Sequence, residues 1–385
     1  MLAALLPTKN GIILEGTKSP GTKLLMSGGG RCNITHDGPV KELAASYNTS
    51  GGSIRGALNR HSNIELCSWL EACGMPLVTE ADGRIFPASG KASDVLDLLL
   101  SKARDNGWSI LTEEKVRRIK TDARPYCVAT EDKEFLCRNL IIASGGTTYP
   151  HTGSDGSMFK IMKRDLGLEI ADPKSALAPL TVRDYPYSEL AGVSLNDVEV
   201  RTGESRKAPR SRGALLFAHN ELTGPAILNI SRHVEAGSKI SINYIPEVDN
   251  PLGLLVDAFG KSRAGYDTIV AECFGLPKRF AACIVERAKE KATATRDGIS
   301  LKNIVETLSA DSFTVESRSP RGMVSAGGVL LAEVDSKSFE LVKHPGIYVI
   351  GEALDVDGIT GGYNLQFAYS SAASAAASFL SAAST

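Results

Sequence analysis

Residues able to do chemistry are concentrated near the end of this chain, in Gly351-Glu352-Ala353-Leu354-Asp355-Val356-Asp357-Gly358-Ile359-Thr360-Gly361-Gly362-Tyr363-Asn364-Leu365-Gln366. Carboxylates at 352, 355 and 357 can accept hydrogen bonds from ligand hydroxyls, and the glycines let the backbone come close to a bound molecule. The string follows a short apolar, β-branched strand predicted over Gly346–Ile350 and precedes an Ala/Ser-rich helix predicted from about Gln366 to Ala383. Free amides at the start of such a helix face an anionic or electron-rich group. Acids and glycines packed into one strand-to-helix turn make a nucleotide-cofactor pocket. An ordinary glycine-rich connection is the competing reading, and it leaves the acids unexplained.

Two further glycine junctions accompany this one. Lys23-Leu24-Leu25-Met26-Ser27-Gly28-Gly29-Gly30-Arg31-Cys32-Asn33 follows a loop opened by Pro20-Gly21, and Asn139-Leu140-Ile141-Ile142-Ala143-Ser144-Gly145-Gly146 reads as a buried strand meeting a glycine turn. Gly11-Ile12-Ile13-Leu14-Glu15 reads as a parallel strand ending in an acid, the context in which dinucleotide folds bind the adenosine ribose hydroxyls. Such an acid stands about 20 residues after a G-x-G-x-x-G turn, and only 14 residues precede Glu15. The expectation is a reading frame that starts upstream of Met1, with a natural remnant as the alternative.

These segments need a frame to hold them. At 385 residues, two domains, or one domain with a large insertion, are expected. Helices are predicted within about Ile54–Cys73, a turn around Asp82–Pro87, and a helix over Ala92–Asn106; short strands are predicted at Trp108–Leu111, Val116–Lys120, Tyr126–Ala129 and Glu134–Cys137. From about Ala176 to Pro246, short alternating runs such as Lys239-Ile240-Ser241-Ile242-Asn243-Tyr244 predict an antiparallel β unit. Helical patterns follow at Leu252–Phe259, Arg279–Lys291 and Leu301–Leu308, then strands at Phe313–Val315 and Gly327–Leu331. This order predicts a cofactor domain in two parts, 1–175 and 313–385, with an inserted β domain at 176–250 and a helical subdomain at 251–312.

Composition narrows the class. With 43% hydrophobic and 23% charged residues and a formal net charge of −1, nothing draws the whole chain to nucleic acid or an acidic membrane, so a small-molecule substrate is expected. Seven scattered cysteines without a C-x-x-C pair indicate neither a disulfide framework nor a zinc site, and no metal is expected. The absence of any apolar run of about 20 residues leads to an expectation of a cytoplasmic protein.

With Lys-Leu-Leu-x-Ser-Gly-Gly-Gly-Arg-Cys-Asn at 23–33, Ser-Gly-Gly-Thr-Thr-Tyr-Pro at 144–150, the run His219–Ile230 and the terminal string in this order, the chain resembles the aminoacetone oxidase-like flavoproteins. Another branch of that family contains a bile-acid-pathway reductase. The likeness extends from about Gly11 to the end. It implies an α/β, two-dinucleotide-binding-type (Rossmann-like) FAD domain interrupted by a β-barrel-like and a helical unit.

The resemblance further implies Glu15 on the adenosine ribose, and Lys23, Ser27, Gly28, Gly29, Gly30, Arg31, Cys32 and Asn33 along the cofactor, with Val116, Ser144, Gly145 and Gly146 beside it. It places Gly351 and Glu352 at the ribityl chain and Gly361, Gly362, Asn364 and Leu365 at the pyrimidine edge of the flavin. Arg31 could instead pair with a structural carboxylate, Cys32 reads as a packing residue, and Asp355 and Asp357 as turn caps. His219 and Tyr149 are candidates for proton transfer, each with a purely structural role as the alternative. Around His219, Ala218, Glu221 and Thr223 depart from the family's Thr-His-x-Gly-x-Ser-Gly-Pro. The implied activity is an FAD-dependent oxidoreductase acting on a small amine or an enone-like substrate by hydride transfer. The rival is a non-catalytic or weakly FAD-binding protein derived from such an enzyme.

Overall fold

The computed structural model describes residues 1–48, 50–203, 205, 207–290 and 300–382; Lys291 and Ala383, where two of the predicted helices end, lie outside them. The chain divides into two compact units, one formed by Met1–Lys174 with Met323–Thr385 and the other by Ser175–Gly322.

The first unit is a mixed α/β Rossmann-type fold. Gly11–Leu14 pairs in parallel with Trp108–Leu111, and Ile347–Val349 in parallel with Leu140–Ile142. These short apolar strands have the composition of parallel sheets, which are covered on their faces by helices. A three-stranded antiparallel sheet (Arg118–Lys120, Tyr126–Ala129, Glu134–Cys137) flanks them, a second joins Thr35–His36, Arg84–Pro87 and Leu77–Thr79, and Val324–Val329 pairs with the strand that begins at Ile170. Expected as a turn, Arg84–Pro87 is a strand, because Ile85 and Phe86 are buried and the segment pairs with Thr35–His36 on one side and Leu77–Thr79 on the other.

The terminal helix spans Tyr363–Ala382 and runs through the unit's largest core, contributing Phe367, Ala372, Ala375 and Ala376. Its small residues permit close packing on Tyr47, Leu58 and Val349 in the same core. The helix Asn63–Ala72 starts with a reciprocal capping box: Glu65 N donates to Ser62 Oγ at 3.3 Å and Ser62 N to Glu65 Oε2 at 2.9 Å.

The second unit is a closed six-stranded barrel, in the order Leu180–Val182, Leu222–Thr223, Arg210–Phe217, Ser194–Thr202, Lys239–Asn243 and Asp311–Arg318. Four helices, Pro251–Lys261, Tyr266–Phe274, Lys278–Glu290 and Leu301–Ser309, share one core with it. The boundary expected at residue 313 therefore falls inside a barrel strand, and the segment Phe313–Val315 closes the barrel. A three-residue apolar alternation carries no information about which sheet takes it; the antiparallel register with Lys239–Asn243 decides.

Candidate functional site

The three glycine junctions of the sequence come together within the first unit. Behind the strand Gly11–Leu14, the chain forms a short helix Thr22–Met26 and then a tight turn Ser27–Gly30, in which Gly28 and Gly29 take left-handed angles (φ 57° and 66°). No atom stands within 4 Å of where a Cβ on Gly29 would be, so its outer face is open. The turn is tied to the terminal string by Asn33. With its amide oriented to satisfy both ends, Asn33 Oδ1 accepts from Gly362 N at 3.1 Å and Nδ2 donates to Thr35 O at 3.0 Å and Ile85 O at 3.3 Å.

Lys23 makes the second tie. Its Nζ donates to Glu352 Oε2 at 2.7 Å, to Oε1 at 2.9 Å and to Thr148 Oγ1 at 2.9 Å. Glu352 Oε1 also accepts from Ser325 N at 2.9 Å, and Ser325 Oγ accepts from Thr147 N at 2.7 Å. Ion-pair side chains at 23% and 21% exposure are neither buried nor free, so the carboxylate is held in place while a face of it stays available. The glycines at 145 and 146 are explained by this packing. A Cβ on Gly146 would stand 3.0 Å from Glu352 Oε1 and 2.7 Å from Ser325 Cβ, and Gly145 sits at φ 71° beside Ser154. Ser144 Oγ is buried and finds no hydrogen-bond partner among the described residues, which leaves it able to bond a group from outside the chain.

Gly351 takes φ 64° and donates to Ser371 Oγ at 3.0 Å, which fixes the start of the acid-rich string. Asp355 Oδ1 accepts from Gly327 N at 3.0 Å and Asp357 Oδ2 from Asn48 Nδ2 at 2.7 Å; both acids fasten the string to neighbouring segments. The side chain of Asn364 is spent on Gly358, accepting from its N at 2.9 Å and donating to its O at 3.1 Å, so only the backbone amide of Asn364 can face a ligand. Gln366 N is the first helix amide bonded back to Gly362 O, and the amides before it in the first turn are those a helix leaves without an intrahelical partner. Leu365 is half-buried against a smaller core that includes Cys32, Ile34, Leu66 and Tyr369.

The remaining expected residues are distributed around this centre. Glu15 Oε1 accepts from Thr17 N and Oγ1, both at 2.8 Å, and the carboxylate lies beside Gly153. Val116 packs against the largest core, and its predicted strand begins only at Arg118. Ser27 Oγ donates to Leu24 O at 2.6 Å. Arg31 turns to Glu80, with Nη1 at 2.7 Å from Oε1 and its guanidinium 4.1 Å above the Phe86 ring, so in this structure it pairs with protein groups. Cys32 is 1% exposed, and burial pushes its thiol up to about 11 against a smaller opposing effect of the Ser27 hydroxyl. It is a packing residue, not a thiolate.

Tyr149 follows the Gly145-Gly146 turn at φ 58°, its ring edge-on to His151 at 6.0 Å. A tyrosine in the left-handed region is strained backbone, and such strain clusters at functional sites. His219 is in the second unit, exposed on the turn between Arg210–Phe217 and Leu222–Thr223. Sequence reasoning overlooked Ser325, which lies outside any glycine motif, and gave no role to Thr147 and Thr148 within the string 144–150; they acquire their place only by packing around Glu352 and Lys23.

These residues fit a flavin cofactor at its ribityl and pyrimidine ends: an oriented carboxylate for hydroxyls, an orphaned serine hydroxyl, glycine turns open to a close approach and first-turn helix amides. No G-x-G-x-x-G occurs in the sequence. Among the described residues, no group of three or more His, Cys, Asp or Glu is arranged to hold a metal ion, and no helix is long and apolar enough to cross a membrane.

The chain is similar to known proteins over nearly its whole length. The chain is 29% identical over 385 residues to the ribosomal RNA dihydrouridine synthase of Escherichia coli K12, covering 97% of this chain and 93% of the relative. It is 27% identical to the 3-dehydro-bile acid delta(4,6)-reductase of Clostridium scindens, covering 93% and 89%. Among solved structures, the 3-ketosteroid-delta4-(5alpha)-dehydrogenase of Rhodococcus jostii RHA1 aligns over 95% of this chain and 91% of its own, at 14% identity and a TM-score of 0.45. The HI0933-like protein Rossmann domain model matches residues 1–378, so this chain belongs to the HI0933-like family, whose cofactor is FAD.

Proposed function

We propose that this chain is an FAD-dependent reductase of a carbon–carbon double bond conjugated to a carbonyl. One observation carries the reading: the Lys23–Glu352 and Asn33–Gly362 contacts gather both ends of the unit at one place, with an orphaned hydroxyl and open glycine turns beside them. The relatives support the substrate class, since the 4,6-dienone unit of a bile acid and the uracil ring of a uridine share an alkene in conjugation with a carbonyl. FAD, when bound, carries the hydride such a reduction needs.

The chain's own groups take these roles. Glu352, oriented by Lys23 and the Ser325 amide, accepts from ribityl hydroxyls, and Ser144 Oγ adds a further bond there. The backbone amides of Asn364 and Leu365 favour electron density at the pyrimidine edge through the positive end of the helix. Glu15 keeps lone-pair capacity for the adenosine ribose beside the loop at Gly153. Tyr149 is the proposed proton donor to the substrate α-carbon, and its left-handed backbone beside the Gly145-Gly146 turn is the observation that singles it out.

The test is reconstitution of the purified chain with FAD, followed by anaerobic turnover with a nicotinamide donor for the two unsaturated substrates and an aerobic assay for the amine. Three substrates are compared: a simple conjugated enone, uridine-containing ribosomal RNA, and a small primary amine with oxygen. Flavin absorbance with reduction of the enone or the uridine supports the reading and separates small-molecule from RNA substrates. Oxidation of the amine alone, or a protein that never takes up flavin, overturns it.

A further inference from the structure

The first turn of the terminal helix is held by a buried polar network that plays no part in the ligand contacts assigned above. Gln366 and Thr35 are both completely buried. Thr35 Oγ1 donates to Gln366 Oε1 at 2.6 Å, Gln366 Nε2 donates to Ser370 Oγ at 3.0 Å and to His61 O at 3.2 Å, and Ser370 Oγ donates to His61 O at 2.6 Å. Every polar atom of the glutamine amide is thereby used. Removing that amide from water carries a desolvation cost that a leucine or methionine of similar volume avoids, so the network is expensive as mere filling. What a fully satisfied buried network does supply is a single geometry.

The geometry it supplies is that of the glycine turn. A Cβ on Gly362 would stand 2.7 Å from the carbonyl carbon and oxygen of Thr35, so the turn lies directly on the Thr35 backbone. Asn33, two residues earlier on the same segment, accepts from Gly362 N. Thus the segment 33–35 touches the turn twice, by the Asn33 side chain and by the Thr35 backbone, and its side chain at 35 locks onto the helix one turn further on. The amides of Asn364 and Leu365 lie between these two fastenings.

We propose that Thr35 and Gln366 are positioning residues that set the first-turn amides of the helix Tyr363–Ala382 against the flavin, and so control its affinity and redox potential without touching it. The proposal rests on the reading of this site as the FAD pocket. Loosening the turn lets the amides swing away from the pyrimidine edge. The reduced cofactor, which carries the greater electron density there, then loses more than the oxidised one.

The experiment uses the full chain reconstituted with FAD and compares Thr35→Val, which keeps the shape and removes the donor, with Thr35→Ser, which keeps the hydroxyl. Thr307→Val, at a buried threonine of the other unit, controls for general destabilisation. Thr35→Val is expected to lower the preference for reduced over oxidised FAD about tenfold, a midpoint potential about 30 mV more negative for a two-electron couple. Thr35→Ser restores the wild-type potential, and Thr307→Val leaves it unchanged. If Thr35→Val does not accumulate as folded protein, Gln366→Met is read in the same way. A flavin-loaded Thr35→Val whose potential moves no further than that of Thr307→Val overturns the proposal alone; a wild type that takes up no FAD overturns the pocket reading and the proposal together.

Discussion

Replacing Gly146 by alanine should break the glutamate platform by one methyl group. Gly146 does not adopt a left-handed φ, so alanine suffers no backbone strain and the outcome is decided by space. The added Cβ would collide with Ser325 Oγ and stand 2.7 Å from Ser325 Cβ and 3.0 Å from Glu352 Oε1. Ser325 is 1% exposed and has nowhere to retreat, yet its hydroxyl is the acceptor for Thr147 N at 2.7 Å. Overpacking of this kind costs about 1–3 kcal/mol, and loss of the serine acceptor adds about 1 kcal/mol. Gly146→Ala should therefore lose about 2–4 kcal/mol of unfolding free energy and most of its FAD affinity. Chemical denaturation and FAD titration measure the two. Ser325→Gly in the same chain removes the colliding atoms, so the double variant should recover FAD binding that Gly146→Ala lacks. Gly52→Ala is the contrast: Gly52 is exposed within the helix Gly51–Arg60 with no atom within 4 Å of the added Cβ, and alanine should stabilise it by about 0.5–1 kcal/mol. A Gly146→Ala protein as stable as wild type, with FAD bound equally well, would refute the packing argument and with it the placement of Glu352.

Lys23→Met removes the cation that orients Glu352 and should weaken FAD binding about tenfold, whereas Arg31→Gln, acting at an exposed pair worth under about 1 kcal/mol, should leave it within about twofold; titration of both variants against wild type compares them. Cys32 should resist alkylation by iodoacetamide at neutral pH until the protein unfolds, because its thiol is buried and raised to about 11. Its folded value is above the unfolded one, so its stabilisation is complete below about pH 8.5 and declines as pH rises toward about 11. Cys32→Ala should flatten the stability profile in that window. In the second unit, Arg287→Met strips Asp311, which is wholly buried, of its Nε donor at 2.7 Å while Tyr187 and Tyr244 still donate at 2.6 and 3.1 Å; breaking such a pair should cost about 3–5 kcal/mol in calorimetry or denaturant unfolding.

That the cofactor is FAD came from the family resemblance; amino-acid types and local order were sufficient for a nucleotide-cofactor pocket, for the strand-to-glycine junctions at 140–146 and 346–362, and for a chain in two parts around an insertion. The reason is that glycine and apolar β-branched runs act through backbone freedom and burial, both of which are local properties of the chain. Glu352, Gly145 and Gly146 were singled out in this way and Lys23 through the family resemblance, but the partner each finds was not legible. The pairing of Lys23 with Glu352 spans 329 residues, and the choice of Glu80 by Arg31 spans 49; such ion pairs are set by where packed elements converge. The same is true of Phe313–Val315, whose alternation suits either sheet until an antiparallel register with Lys239–Asn243 closes the barrel. Ser325 and Thr35 lie in no motif, and although Thr148 and Gln366 lie within the strings 144–150 and 351–366, nothing local gives either of them a role. Their hydroxyls and amides gain meaning only because the folded chain buries them beside groups that need a hydrogen bond, and burial is a property of the tertiary structure.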